Sequence, residues 1–104
     1  MGFNAAVGSG DSAELYYEDI LRSGCGLSSM RLARLLADGS FEQLRFLEEN
    51  GLRFDRTETG EYDLLQPLGC SRPRLVHVGR FTGTRSEELL LRMLESRGAE
   101  LAFD

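Results

Sequence analysis

The apolar residues of this chain recur at three- and four-residue spacing in four segments, and each segment is closed by a glycine. The four closing glycines are Gly24, Gly39, Gly51 and Gly98. Such spacing places apolar side chains on one face of an α-helix, and glycine readily adopts the left-handed conformation that often follows a helix. The pattern predicts four short amphipathic helices, three in the N-terminal half and the longest near the end.

The starts of three of these helices fit a capping box, in which two polar side chains accept hydrogen bonds from backbone N–H groups that the helix leaves unpaired. The three pairs are Asp11 with Glu14, Ser40 with Gln43, and Thr84 with Glu87. Asp11 also lies in a G-x-G-x-x-A stretch that partly fits a dinucleotide-binding fingerprint. That fingerprint follows a buried strand, and only residues 1–7 precede it here. We therefore favour the helix start over the fingerprint.

Strand patterns are concentrated in the second half of the chain. Residues 52–66 alternate about Gly60, which predicts a small hairpin or an irregular pair of extended arms. Residues 74–78 and 99–103 are β-rich runs on either side of the last helix, and together they predict a β-α-β unit with parallel strands. The apolar stripe of that helix would be Leu89, Leu90, Met93 and Leu94.

The predicted fold class is therefore α+β: three N-terminal helices, an extended arm or hairpin, and a terminal β-α-β unit. It would form a single domain or partial domain over residues 1–104.

Composition excludes several classes of function. The net charge is −5 and the twelve basic residues are all arginine, whereas a nucleic-acid-binding protein needs a surplus of clustered cations. No apolar run is long enough to cross a membrane and the N-terminus lacks a signal core, so we expect no membrane insertion and a cytoplasmic location. Cys25, Cys70 and the single His77 do not have the spacing of a zinc site.

Two further features leave alternatives open. His77 lies in the apolar run 74–78, where a structural or solvent-facing imidazole is favoured over a catalytic base, because no partner for it can be named from the sequence. The S-R-P-R segment, residues 71–74, could clamp a carboxylate through its guanidinium groups or could be an exposed connector stiffened by proline.

Longer motifs run through nearly the whole chain. The start G-F-N-A-A, residues 2–6, is similar to a G-G-x-N-A-A flavin loop, and residues 11–27 are similar to the acidic helix that follows such a loop. Residues 41–64 resemble a helix and arm of the pattern L-x-x-x-G-V-x-F-D-R. Residues 71–101 resemble S-R-x-R-x-x-H followed by a T-G helix start. In order and spacing, the chain resembles the FAD-dependent flavoproteins that comprise succinate dehydrogenase and fumarate reductase flavoprotein subunits and L-aspartate oxidase.

The resemblance implies an internal segment of the FAD domain of an oxidoreductase that passes a hydride between flavin and a small dicarboxylate or similar substrate. It implies cofactor contacts at Gly2, Asn4, Ala5 and Ala6, where small residues let the backbone approach FAD. Met1 stands where the family has its other glycine.

The family's nucleotide fingerprint and its catalytic His and Arg segments have no counterpart in these 104 residues. We therefore expect no catalytic residue, no activity in isolation, and the remainder of a flavoprotein as partner. The alternative is a small stand-alone binding module that forms a homo-oligomer, because unpaired strand edges favour self-association.

Overall fold

A computed structural model describes residues 2–100. In chain order its elements are β1 (Phe3–Asn4), α1 (Ala13–Ser23), α2 (Met30–Glu49), β2 (Leu75–Val76) and α3 (Thr82–Ser96). The α+β class is confirmed, with three helices and a two-stranded sheet in this part of the chain. No helix between residues 2 and 100 is both long and apolar enough to cross a membrane.

The small sheet is antiparallel, with Phe3 opposite Val76 and Asn4 opposite Leu75. The sequence did not predict β1, because two residues are too few to show strand alternation. β2 confirms the strand predicted within residues 74–78. The partner strand predicted at 99–103 is only partly covered: residues 99 and 100 form no strand, and 101–103 lie outside the described residues.

The predicted hairpin is present in an irregular form. Arg56 and Tyr62 form an isolated antiparallel bridge, and Thr57 N donates to Glu61 O at 2.8 Å. Gly60 turns the chain between them with a φ of +88°, a conformation that L side chains rarely adopt. The returning arm then reaches β2 through a bridge between Leu65 and Leu75.

The second and third predicted helices are in fact one helix, because α2 runs through Gly39 and Ser40 without a break. Ser40 does not cap a helix. It is 7% exposed, and its hydroxyl donates back to the Ala37 carbonyl at 3.1 Å. Glycine within a helix costs about 1 kcal/mol relative to alanine, an amount that tertiary packing readily offsets.

Two of the predicted caps are also wrong, one by a single residue and the other by three residues. Ser12, and not Asp11, caps α1: its Oγ accepts a hydrogen bond from Leu15 N at 3.1 Å. α3 begins at Thr82, two residues before the predicted cap Thr84, and its N-cap residue Phe81 makes no side-chain cap hydrogen bond. The predicted closures of the helices at Gly24, Gly51 and Gly98 are confirmed by the helix bounds.

A small hydrophobic core joins both halves of the chain. Its buried members are Ala5, Leu44, Leu52, Phe54, Val76 and Leu89. Met93 packs against this cluster, as predicted for the α3 stripe. Leu90 and Leu94, which were expected in the same stripe, are 44% and 45% exposed, because the core contacts a narrower face of α3 than the apolar pattern covers.

Candidate functional site

The four predicted cofactor-contact residues lie along β1 and the turn that follows it. An ideal Cβ on Gly2 would stand 2.2 Å from the Val76 carbonyl oxygen, so only glycine allows the chain to lie this close to β2. Ala5 is 1% exposed within the core, and Ala6 N donates to the Ser40 hydroxyl at 3.4 Å. Packing within this chain therefore already accounts for the small residues at Gly2 and Ala5.

Asn4 differs from its neighbours in the state of its side-chain oxygen. Its Oδ1 is buried and has no hydrogen-bond partner within residues 2–100. Asn4 also lines a groove of about 670 Å³ between β1 and α2, whose walls include Phe3, Ala5, Leu36 and Ser40. A buried acceptor without a donor is costly in an isolated chain. The residues present thus fit a bound group that donates a hydrogen bond here, as the imide and hydroxyl groups of FAD can.

Behind the loop, the Arg74 side chain is fully buried and bridges two carboxylates. Its Nε and Nη2 each donate to one oxygen of Asp11 at 2.9 Å, a two-pronged pair, and its Nη1 donates to Asp19. Asp19 Oδ2 also accepts from Ser71 N at 2.7 Å and from the Ser71 hydroxyl at 2.8 Å. The Arg74 guanidinium lies 4.9 Å from the centre of the Tyr16 ring. We call Arg74, Asp11 and Asp19 the Arg74 cluster.

The electrostatics of the cluster favour the charged forms of Asp19 and Arg74. Burial alone would raise the pKa of Asp19, but hydrogen bonds from Arg74, Ser71 and Arg22 outweigh it and lower the pKa below its ordinary value of 3.8. Burial disfavours the charge on Arg74 as well, yet its hydrogen bonds to Asp11 and Asp19 raise its pKa. The cluster is therefore an ionic link that joins the end of the β1–α1 turn, through Asp11, and the middle of α1, through Asp19, to the residue before β2.

The structure decides between the two hypotheses for the S-R-P-R segment. Arg74 is a carboxylate clamp, but the carboxylates belong to this chain and lie 63 and 55 residues away in the sequence. Arg72, in contrast, is exposed. Sequence reasoning assigned Asp11 to a helix cap and so missed the pair. The only sequence signal of the Asp11–Arg74 pair was that the D-S motif, residues 11–12, and the S-R-x-R motif, residues 71–74, occur in the same chain.

His77 is held between two carboxylates of the hairpin arms. Its Nδ1 lies 3.2 Å from Asp55 Oδ2 and its Nε2 lies 3.3 Å from Asp63 Oδ2. The geometry at Nε2 does not form a hydrogen bond, and the side chain is 12% exposed. No Ser or Cys nucleophile bonds to the imidazole among the described residues. The arrangement favours the structural interpretation, in which His77 ties the hairpin to the end of β2.

Other reactive chemistry is not assembled in the described part of the chain. Cys25 and Cys70 are free cysteines. Within residues 2–100, no three or more His, Cys, Asp or Glu side chains are placed to hold a metal ion. The site therefore offers binding and positioning groups: one unpaired acceptor at Asn4, a groove beside it, and an ionic cluster that fixes the turn.

Comparison with known proteins gives a consistent family. A family model described as an FAD binding domain matches residues 2–103. One relative is a subunit of the fumarate reductase (CoM/CoB) of Methanothermobacter marburgensis, which is 36% identical over 91% of this chain and 19% of its own length. The L-aspartate oxidase of Streptomyces coelicolor is 32% identical over 93% of this chain and 17% of its own length.

A solved structure agrees with these relatives. A chain of the Mycobacterium smegmatis Sdh1 complex in the apo form superposes with a TM-score of 0.86 at 33% identity, over 92% of this chain and 17% of that chain. This chain thus spans about a fifth of the length of the proteins it matches. It belongs to the family of FAD binding domains found in fumarate reductase (CoM/CoB) and L-aspartate oxidase.

Proposed function

We propose that this chain supplies part of the FAD-binding domain of an oxidoreductase, and that its residues Gly2, Asn4, Ala5 and Ala6 contact FAD. The observation that carries the proposal is the buried, unpaired Asn4 Oδ1 in a loop that the FAD binding domain model covers. The remainder of a flavoprotein would supply the nucleotide fingerprint and the catalytic groups, so this chain alone is not active.

FAD, when bound, supplies hydride transfer, here to or from a small dicarboxylate or a related substrate. The chain's own contribution is binding and orientation. Asn4 Oδ1 would accept a hydrogen bond from the cofactor, and the absence of a side chain on Gly2 lets the chain lie close to the Val76 carbonyl. The Arg74 cluster holds Asp11, where the turn from β1 ends, in a fixed position.

The finer architecture is part of the same proposal. In the larger domain, α3 would be the crossover helix of a β-α-β unit that starts at β2. Because Leu75 is already paired on both sides, with Asn4 and with Leu65, the strand that completes this unit would lie farther out in the sheet. The location of the flavoprotein would be cytoplasmic.

The test is a titration of the purified chain with FAD, followed by flavin fluorescence. We expect saturable binding that weakens about tenfold in Asn4→Leu, because one buried hydrogen bond is lost. Glu58→Leu, an exposed change on the hairpin, is the control and should leave binding unchanged. Equal affinity of Asn4→Leu and the unaltered chain would remove Asn4 from the cofactor site.

The same variant gives an independent readout without cofactor. Because Asn4 Oδ1 has no donor in the described chain, replacing it with the similarly sized Leu should raise the free energy of unfolding by about 1 kcal/mol. A residue kept for binding lowers the stability of the free protein in this way. Chemical denaturation followed by circular dichroism measures it, and a loss of stability would mean that Asn4 already has a structural role.

A further inference from the structure

Asn50 and Gly51, at the end of α2, form the only Asn-Gly pair in the chain. Asparagine followed by glycine loses its side-chain amide readily in water, because glycine has no Cβ to hinder the reaction. The glycine nitrogen attacks the side-chain carbonyl carbon and gives up its proton, the amide leaves as ammonia, and a five-membered succinimide ring forms. Water then opens the ring at one of its two carbonyls, which leaves aspartate or isoaspartate.

Both residues are exposed to water, but the folded chain holds both reacting groups in hydrogen bonds. Asn50 Nδ2 donates to the Phe46 carbonyl at 2.8 Å, and Gly51 N donates to the Glu48 carbonyl at 3.0 Å. Both acceptors belong to the last turn of α2. The amide that must leave and the nitrogen that must attack are therefore each tied to the helix.

The backbone conformation of Asn50 also keeps the attacking nitrogen away from the side chain. The ψ of Asn50 is 6°, which eclipses Gly51 N with the backbone nitrogen of Asn50. Ring closure requires Gly51 N to be nearly eclipsed with Asn50 Cβ instead, because Cβ carries the side-chain carbonyl. The reaction therefore needs a rotation about the Asn50 Cα–C bond, and that rotation moves the residues that follow.

The residues that follow Asn50 are packed against the core. Leu52 is 5% exposed in the core cluster, and its N donates to the Leu47 carbonyl at 3.0 Å. An ideal Cβ on Gly51 would lie 4.0 Å from Leu89 Cδ1. The rotation thus requires that the last turn of α2 unwinds and that Leu52 leaves the core. Such local openings have free energies between zero and that of global unfolding.

We propose that Asn50 is a site of spontaneous deamidation by water, which the fold keeps closed and which opens when the last turn of α2 unwinds. The rate in the native chain is then the rate of the open form multiplied by the fraction of chains that are open. Asn50, Gly51 and Leu52 do not line the groove beside Asn4, so this site goes beyond the proposed function.

Both products weaken the end of α2. Aspartate at position 50 removes the donor to the Phe46 carbonyl and adds a negative charge at the C-terminal end of a helix, where the dipole disfavours it. The last turn already contains Glu48 and Glu49 and no basic residue. Isoaspartate adds a methylene group to the backbone, which shifts Leu52 in the core. Asn50→Asp reproduces one product and should lower the melting temperature by a few degrees; an equal or higher value would contradict this weakening.

The test follows the amide of Asn50 by peptide mass spectrometry, in native buffer and in urea at the same pH and temperature. Trypsin cleaves after Arg45 and Arg53, so the peptide of residues 46–53 reports Asn50. We expect conversion to be at least about tenfold slower in native buffer, because a packed segment is open only a small fraction of the time. Asn4, which is not followed by glycine, is the internal control and should react much more slowly than Asn50 in urea.

Three results of these measurements would overturn the proposal. An absence of conversion in urea would remove the site. Equal rates in buffer and urea would mean that the fold does not close it. Gly51→Ala, measured in urea, should slow the conversion severalfold because the added Cβ hinders ring closure, and an unchanged rate would exclude the succinimide route.

Two core variants separate local opening of α2 from global unfolding. Leu52→Ala should raise the native conversion rate more than Val76→Ala does, once each rate is corrected for the variant's global stability in urea. Both changes truncate a buried side chain of the same core, but only Leu52 follows the last turn of α2 directly. Leu52→Val makes the same comparison with a milder change if Leu52→Ala does not fold. Equal corrected rates would assign the reaction to global unfolding and overturn the local opening.

Discussion

Arg74 is the residue on which the position of the N-terminal loop depends most. Its guanidinium is fully buried, and both carboxylates it contacts are at most 4% exposed, so none of these charges is solvated by water. Such a cluster is not strongly stabilising compared with an apolar core of the same shape. Its value is specificity: it fixes Asp11 and Asp19 of one segment against the start of β2.

Removing Arg74 should therefore destabilise the chain strongly. Arg74→Met leaves the buried Asp11 without its counter-ion and Asp19 with Arg22 alone, and we expect a loss of about 3–5 kcal/mol in the free energy of unfolding. Arg74→Lys should lose less, because it keeps the charge but not the fork that pairs with Asp11. Urea unfolding measures both, with the exposed Arg72→Met as control; equal stability of the two Met variants would contradict the role of the cluster.

Asp19 predicts how stability depends on pH. Its pKa in the folded chain is lowered below 3.8, so its ionised form stabilises the fold above that pH. As pH falls below about 4, the unfolded chain binds the proton first and this contribution is progressively lost. The difference in unfolding free energy between the native chain and Asp19→Asn should be constant near neutral pH and shrink below about pH 4. A difference that grows on acidification would contradict the assignment.

At the scale of elements, α1 and α3 begin in different ways. Ser12 accepts a hydrogen bond from Leu15 N, whereas Thr84 lies inside α3 and caps nothing. Ser12→Ala should cost about 1 kcal/mol of stability, and Thr84→Ala should change it by less than about 0.5 kcal/mol. Thermal unfolding of the two variants checks the difference. If Thr84→Ala were the more harmful change, the start of α3 would have to be placed at the capping box.

Local patterns predicted the elements better than their ends. Helix spacing correctly indicated α1 and α3 and the glycine after each helix, because these depend on neighbours three or four residues apart. The break predicted at Gly39 and Ser40 was wrong because both residues have local reasons to end a helix. Instead, the Ser40 hydroxyl donates to the Ala37 carbonyl and accepts from Ala6 N. Ala6 lies 34 residues away in the sequence, so local patterns cannot show this second contact.

At the scale of the whole molecule, long-range pairs decide what the sequence could not show. β1 exists only because Phe3 and Asn4 find β2 more than seventy residues later. The Arg74 cluster likewise joins residues that are 63 and 55 positions apart in the sequence. The family motifs did indicate that these segments belong together, but not that Asp11 faces Arg74. The cofactor contacts at Gly2, Asn4, Ala5 and Ala6 stay a prediction, since intramolecular packing already explains two of them.

α3 gives the most direct test of how the two halves of the molecule are joined. Leu89 is 3% exposed and lies in the core cluster with Ala5 and Leu44 from the N-terminal half. Its neighbour Leu90 is 44% exposed and outside that cluster. Leu89→Ala removes buried methyl groups and leaves a cavity, so we expect a loss of about 2–5 kcal/mol.

Leu90→Ala is the matched control, since it makes the same chemical change one position along the same helix. It should cost no more than about 0.5 kcal/mol in the isolated chain, because surface substitutions away from packed sites have small effects. Equilibrium unfolding in urea compares the two variants directly. Equal losses would mean that α3 presents both residues to the core, as the apolar spacing alone predicts, and would rotate the helix relative to the structure described above.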